Sequence, residues 1–241
     1  MILFFRTVIV LSYFFVVALL GIIVCLLRPF NPDNTRICGR MFSIGGLKLL
    51  GIKMTVEGKE NLTNMQPSIV VANHQDNLDL FIHGGVIPKR TVSIGKKSLR
   101  YLPLFGQVYW LSGNIMIDRK KSKASIDSMT ETTEALKHQA TSIWVFAEGT
   151  RNKGENLLPF KKGAFHMAKQ ADAPILPICA SAYPKHINLN KWRAGEVKVR
   201  ILPPVPTKDI AIEDLNTLCQ SVHNEMLQTI EALNSTISSN K

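Results

Sequence analysis

The sequence predicts an α/β fold, a mixed sheet covered by helices, set behind an amino-terminal membrane-associated helical segment. Three observations carry that expectation. From Ile52 onward, short β-branched apolar runs alternate with segments of helical periodicity, the order of an α/β sheet with helices packed on it. Ahead of them, Thr7 to Leu27 hold no charged residue, and such a run as a helix would reach about 30 Å, the thickness of a bilayer's hydrocarbon core. A chain of 241 residues, 46% of them hydrophobic, is also long enough to bury one large core without staples.

The apolar run exceeds the core of a cleaved signal peptide, and no small-residue cleavage site follows Cys25-Leu26-Leu27-Arg28-Pro29, so a retained anchor is expected rather than a removed leader. Arg28, Arg36, Arg40, Lys48 and Lys53 lie behind the run against Arg6 alone in front, a bias that puts the rest of the chain on the cytoplasmic side. Ile37 to Leu50 is a second apolar stretch, broken by Gly39, Gly45 and Gly46 and carrying Arg40 and Lys48. Two arrangements are open: one spanning helix, or a two-helix hairpin dipped into one leaflet. The expected division is an anchor over residues 1–50, an α/β domain over 51–234 and a polar tail over 235–241.

Within the α/β domain, Ile52 to Val56, Ser68 to Ala72, Thr91 to Ile94, Asn114 to Ile117, Ser142 to Phe146, Ile175 to Cys179 and Val197 to Leu202 read as strands. Asp79 to Gly84, Ser122 to Gln139, Gly163 to Gln170 and Ile212 to Leu233 read as helices. In the last, Leu215, Leu218, Val222, Met226, Ile230 and Leu233 recur at helical spacing, which marks a face packed on the core.

The four cysteines, Cys25, Cys38, Cys179 and Cys219, have no C-x-x-C spacing, so neither a zinc site nor a disulfide framework is indicated. The formal charge of +11 favours an anionic partner. No stretch combines dense basic residues with interleaved aromatics, and the anchor already implies a bilayer, so lipid headgroups and phosphorylated substrates account for the charge and nucleic acid is not expected.

Three stretches carry chemistry. Asn73-His74-Gln75-Asp76-Asn77-Leu78-Asp79 follows a buried strand and opens a helix, which places an imidazole and two carboxylates in a strand-to-helix turn, where α/β sheets hold ligands. Asp76 or Asn77 can cap the helix, and Asp79, one turn later, is the better placed carboxylate to orient His74, the arrangement a general base needs. Lys96, Lys97 and Arg100 form a basic corner beside an apolar Leu102-Pro103-Leu104-Phe105 surface, a combination suited to a charged head with a greasy tail. In Phe146-Ala147-Glu148-Gly149-Thr150-Arg151-Asn152, Gly149 permits a tight turn, Arg151 offers a fork of donors for phosphate, and Glu148 can accept from a hydroxyl or hold Arg151.

In order and spacing these stretches resemble the glycerolipid acyltransferase family, and within it the bacterial 1-acyl-sn-glycerol-3-phosphate acyltransferases. The H-x4-D motif is met by His74 and Asp79, and a K-x-x-L-x-x-x-P-x-x-G pattern by Lys96, Leu99, Pro103 and Gly106, continued by Gly113 to Arg119. F-P-E-G-T-R appears as FAEGTR, and an apolar P-I-x-P run as Pro174-Ile175-Leu176-Pro177. Ala147 stands where proline is commoner, removing a fixed φ from the turn that presents Glu148 and Arg151, although alanine can adopt the same dihedrals.

The resemblance implies transfer of a fatty acyl group from acyl-CoA or acyl carrier protein to the sn-2 hydroxyl of lysophosphatidic acid, at the cytoplasmic face of the bacterial inner membrane. His74 would be the base and Asp79 its partner, with Lys96, Glu148, Gly149, Thr150 and Arg151 on the acceptor side, and neither metal nor cofactor is expected. Glycerol-3-phosphate or another lysophospholipid is the alternative acceptor. Two other classes use the same residues: a metal-dependent phosphohydrolase with His74, Asp76 and Asp79 as ligands, which chelator would stop, and a non-catalytic lipid-binding membrane protein, which would lose nothing with His74.

Overall fold

The computed structural model describes residues 1–63, 65–118 and 140–237. Strands form where the β-branched runs lie: β1 (Ile52–Glu57), β2 (Ile69–Ala72), β3 (Thr91–Lys96), β4 (Ile115–Ile117), β5 (Ser142–Phe146), β6 (Ile175–Ala180) and β7 (Gly195–Ile201). They make one sheet in the order β1-β7-β6-β2-β5-β3-β4, parallel throughout except where β7 meets β6. The sheet is therefore mixed, and the carboxyl ends of β6, β2, β5, β3 and β4 share one edge.

The helices are α1 (Ile2–Leu27), α2 (Asp33–Leu50), α3 (Asp79–Ile82), α4 (Phe105–Leu111), α5 (Gly163–Ala171) and α6 (Leu215–Ser235). Side chains of a strand alternate between faces, and β2, buried on both, divides accordingly. Val70 and Ala72 join a core built with α1 to α4, whereas Ile69 and Val71 join one built with α5 and α6. The expected apolar row of α6, Leu215 to Leu233, is buried throughout, each side chain there contributing about 1.5–3 kcal/mol of burial. The expected helix Ser122 to Gln139 lies outside the described residues, as do Arg119 and most of the tail. Helix α4 was not expected, because Pro103 and Gly106 read as loop signals. It forms because Val108 packs into the core beside α1.

Residues 1–50 pack directly against the sheet. Val17, Ala18 and Cys25 of α1, and Phe42, Leu47 and Leu50 of α2, belong to the same core as Val70 and Ala72, so the two helices are part of the α/β body. Both ends of α1 are tied to it. Near the amino end, the guanidinium of Arg6 is buried and donates to the carbonyls of Leu189, Lys191 and Trp192 at 2.5, 2.8 and 2.9 Å, so this cation serves structure rather than charge bias. Near the other end, Cys25 Sγ lies 3.4 Å from Ser112 Oγ, and Phe30 N donates to Leu111 O at 2.9 Å. Between these points Leu3, Phe4, Val8, Leu11, Phe15, Leu19 and Ile23 stay exposed along one face. Among the described residues α1 is the one helix long and apolar enough to cross a membrane. All four cysteines are free and buried.

Candidate active site

Ala72 of β2 lies opposite Phe146 of β5 in parallel register, so the segments after the two strands leave the sheet side by side. Open α/β sheets bind ligands beyond this carboxyl edge. The turn after β2 is fastened by two buried amides. Asn73 Nδ2 donates to Ala180 O at 2.9 Å and Asn73 Oδ1 accepts from Ala180 N at 2.8 Å, so its side chain continues the ladder toward β6. Gln75 Nε2 donates to Ser181 O at 2.8 Å and its Oε1 accepts from Tyr183 N at 3.1 Å. His74 sits between these two anchors.

Asp76 Oδ1 accepts from Leu78 N at 2.6 Å, closing the turn into α3, which leaves Asp79 to meet the histidine. His74 Nδ1 lies 2.6 Å from Asp79 Oδ2, and that oxygen also accepts from Gln75 N at 2.8 Å. A carboxylate oxygen accepts only, so Nδ1 carries the proton and Nε2 keeps its lone pair. The imidazole is one-fifth exposed, and Phe146 stacks on its face at 4.1 Å between centroids.

The other oxygen of Asp79 is also occupied. Tyr183 OH donates to Oδ1 at 2.7 Å, and His83 Nε2 lies 3.3 Å from it while reaching Asn73 O at 3.0 Å. Burial opposes ionisation of Asp79, but the hydrogen bonds and positive charge of His74 and His83 outweigh it and hold this carboxyl well below the usual range. Burial, then the negative charges of Asp79 and Asp76, push the Tyr183 phenol far upward, so it remains a donor.

Glu148 leaves the sheet beside His74, and both of its oxygens are in use. Oε1 accepts from His74 N at 2.6 Å, and Oε2 accepts from Asn152 Nδ2 and Leu158 N, each at 2.9 Å. Glu148, expected on the acceptor side, is buried and bonded to two main-chain amides and to the side chain of Asn152. A carboxylate withdrawn from water takes the donors nearest to it, and burial raises its pKa against those bonds. The turn is also pinned by Asn152 N to His74 O at 2.8 Å and Lys153 N to Gln75 O at 3.1 Å. Gly149 has φ +72°, so the backbone calls for glycine, while a Cβ there would meet only the flexible end of Lys161, Cε at 2.7 Å. Thr150 and Arg151 are exposed, and the charge of Arg151 partly offsets burial at Asp76. Lys96 is exposed at the end of β3, two strands along from β2 and so about 10 Å away on the same edge.

His74, Asp79 and Glu148 are thus in contact, Gly149 to Arg151 adjoin them, and Lys96 faces the same edge. Tyr183 and His83 were not singled out from sequence. His83 follows Asp79 by four, a helical spacing that could have drawn notice; Tyr183 arrives from a segment 104 residues away in sequence from Asp79. A metal held by His74, Asp76 and Asp79 would have to displace three hydrogen bonds at Asp79 alone, those of His74 Nδ1, Gln75 N and Tyr183 OH, so the donor set does not fit a metal centre.

Comparison with known proteins places the chain in a family. The acyltransferase family model matches residues 53–181. The 1-acyl-sn-glycerol-3-phosphate acyltransferase of Escherichia coli (strain K12) is 38% identical over 230 residues, 95% of this chain and 93% of that protein. The Haemophilus influenzae enzyme of the same name is 36% identical over 96% of each chain. The human 1-acyl-sn-glycerol-3-phosphate acyltransferase alpha is 38% identical over 93% of this chain and 80% of its own. Among solved structures, the 1-acyl-sn-glycerophosphate (LPA) acyltransferase PlsC from Thermotoga maritima superposes with a TM-score of 0.76 at 25% identity, covering 98% of this chain and 99% of that one. With a matching fold, a family model spanning His74 to Arg151 and relatives aligned nearly end to end, the chain belongs to the acyltransferase family, alongside the 1-acyl-sn-glycerol-3-phosphate acyltransferases.

Proposed function

We propose that the protein transfers a fatty acyl group from the thioester of acyl-CoA or acyl carrier protein to the sn-2 hydroxyl of lysophosphatidic acid, giving phosphatidic acid and the free thiol. The observation that carries this reading is the 2.6 Å contact of His74 Nδ1 with buried Asp79, which leaves Nε2 as a proton acceptor at an edge also lined by Arg151 and Lys96. An alcohol is almost wholly protonated at neutral pH, so the missing ingredient is a base. His74 Nε2 takes the hydroxyl proton as the oxygen attacks the thioester carbonyl; the tetrahedral adduct expels the thiolate, and Nε2 returns the proton to sulfur. The thioester supplies the driving force, and the steps as written need neither metal nor cofactor. Labelled acyl thioester offered with a panel of acceptors tests the assignment; greatest turnover on glycerol-3-phosphate would replace the acceptor, and loss of activity with chelator would overturn the mechanism.

The phosphate of the acceptor falls to Arg151, with Lys96 on the same edge. Arg151→Ala is expected to raise the acceptor KM, and to lower kcat as well, since binding energy at the phosphate positions the hydroxyl. Arg151→Lys restores only part, because a point charge replaces a fork of donors. A neutral monoacylglycerol acceptor is the control: equal damage toward both acceptors would make Arg151 structural.

Helix α1 is assigned to one leaflet, on the cytoplasmic face of the inner membrane. As a 26-residue helix it is about 39 Å long, yet both ends are bonded to the same α/β body, which would itself have to enter the hydrocarbon if α1 crossed it. Exposed aromatics flank both ends, Trp192 by Arg6 and Phe30 with Trp110 at the other, as expected for a helix lying at the interface. Single cysteines placed at Phe4 and at Asn31, in a chain otherwise free of cysteine, are expected to react with an impermeant maleimide from the same side of sealed vesicles. Labelling from opposite sides would establish a spanning helix instead.

A further inference from the structure

We propose that Tyr183 is a positioning residue for the catalytic pair, its hydroxyl fixing the plane of Asp79 from the side remote from His74. The proposal rests on the reading of His74 as the base. An ionised carboxylate has about four acceptor sites, and two pairs of groups meet Asp79: Oδ2 takes His74 Nδ1 and Gln75 N, while Oδ1 accepts from Tyr183 OH and has His83 Nε2, itself bonded to Asn73 O, 3.3 Å away. Without the second pair the carboxylate could rotate about its Cβ–Cγ bond and lose the short contact to the imidazole. Tyr183 is fully buried, so it acts through Asp79 and not on substrate.

The single phenolic proton lies nearer Asp79, at 2.7 Å, than Asp76 Oδ1, at 3.1 Å, and Asp76 is already bonded to Leu78 N. The charged and titratable groups facing the pair are Asp76 from the turn before α3, His83 after it, Tyr183 after β6, and Glu148 and Arg151 after β5. Of these, Tyr183 donates to the oxygen that His74 does not use, and His83 lies 3.3 Å from it. Each donor draws charge from the carboxylate; removing one strengthens the attraction of Asp79 for the protonated imidazole.

Tyr183→Phe removes one oxygen and keeps the ring in its cavity. Its kcat at the pH plateau is expected to fall about tenfold to a hundredfold, the weight of one hydrogen bond to a charged group, with the lysophosphatidic acid KM unchanged. The acid limb of kcat/KM is expected to move to higher pH, and the titration of the His74 ring, read by NMR of nitrogen-15 histidine in detergent micelles, to move with it. His83→Phe takes away the other polar contact of the same oxygen and is expected to shift both readouts in the same direction, so the idea stays testable if Tyr183→Phe fails to fold. A plateau loss with limb and titration unmoved would make Tyr183 merely structural and overturn the proposal, as would a variant indistinguishable from the parent. The ring titration is read without substrate, so it judges this proposal separately from the reaction, which His74→Ala decides.

Discussion

His74→Ala is expected to lower kcat by about two to four decades, roughly 3–5 kcal/mol of barrier, with little change in acceptor KM. The structure explains why so large an effect can be chemical. What His74 contributes to the architecture is its main chain: N donates to Glu148 Oε1, and O accepts from Asn152 N. Alanine keeps both atoms. The turn stays anchored through Asn73 and Gln75, and Asp79 retains Gln75 N, Tyr183 OH and His83. The variant should therefore fold, bind acceptor through Arg151 and lack only the proton acceptor. Initial rates in mixed micelles with labelled thioester, beside a thermal melt, separate the two contributions. Near-normal turnover in a folded variant would remove His74 from the mechanism.

The strands were legible because their signal is local. Each of the seven segments read as β lies within two or three residues of its observed bounds, since β-branched runs closed by turn residues suffice to specify them. The approach of Asp79 to His74 was legible for a related reason: five residues of turn and helix start bring them together, with Asp76 absorbed by Leu78 N. Partners that the fold brings from afar were not. Nothing around Glu148 indicates that its neighbours will be the amides of His74 and Leu158, so a carboxylate at a strand end reads as free for substrate. Tyr183 reaches Asp79 only because β6 pairs with β2. The apolar run of α1 signals a membrane without saying which face packs on protein, because a helix apolar all round has no preferred side until Val17, Ala18, Gly21 and Cys25 meet the body.

Asp79→Asn is expected to cost a comparable two to three decades in kcat, and the surrounding donors determine how. An amide has one oxygen and one NH2 where the carboxylate has two acceptors. With NH2 toward His74, two donors face each other unless the imidazole moves its proton to Nε2, which abolishes the base. With oxygen toward His74, NH2 faces Tyr183 OH and His83 Nε2, but the phenol can turn its proton to Asp76 Oδ1, 3.1 Å away, and accept from the amide, while His83 keeps Asn73 O. The second arrangement leaves fewer unpaired donors, so the variant should retain the working tautomer and lose the negative charge that stabilises protonated His74. Its acid limb should then move to lower pH, opposite to Tyr183→Phe, with a depressed plateau. Stability gives an independent check. The folded Asp79 carboxyl is held below its unfolded value of about 3.9, so its contribution is complete above that pH and is lost as pH falls through the folded value. The difference in melting temperature between parent and Asp79→Asn should accordingly be largest near neutrality and shrink in acid. A gap independent of pH from neutrality to about pH 2, well below the unfolded value, would mean that the ionised carboxylate does not hold this turn together.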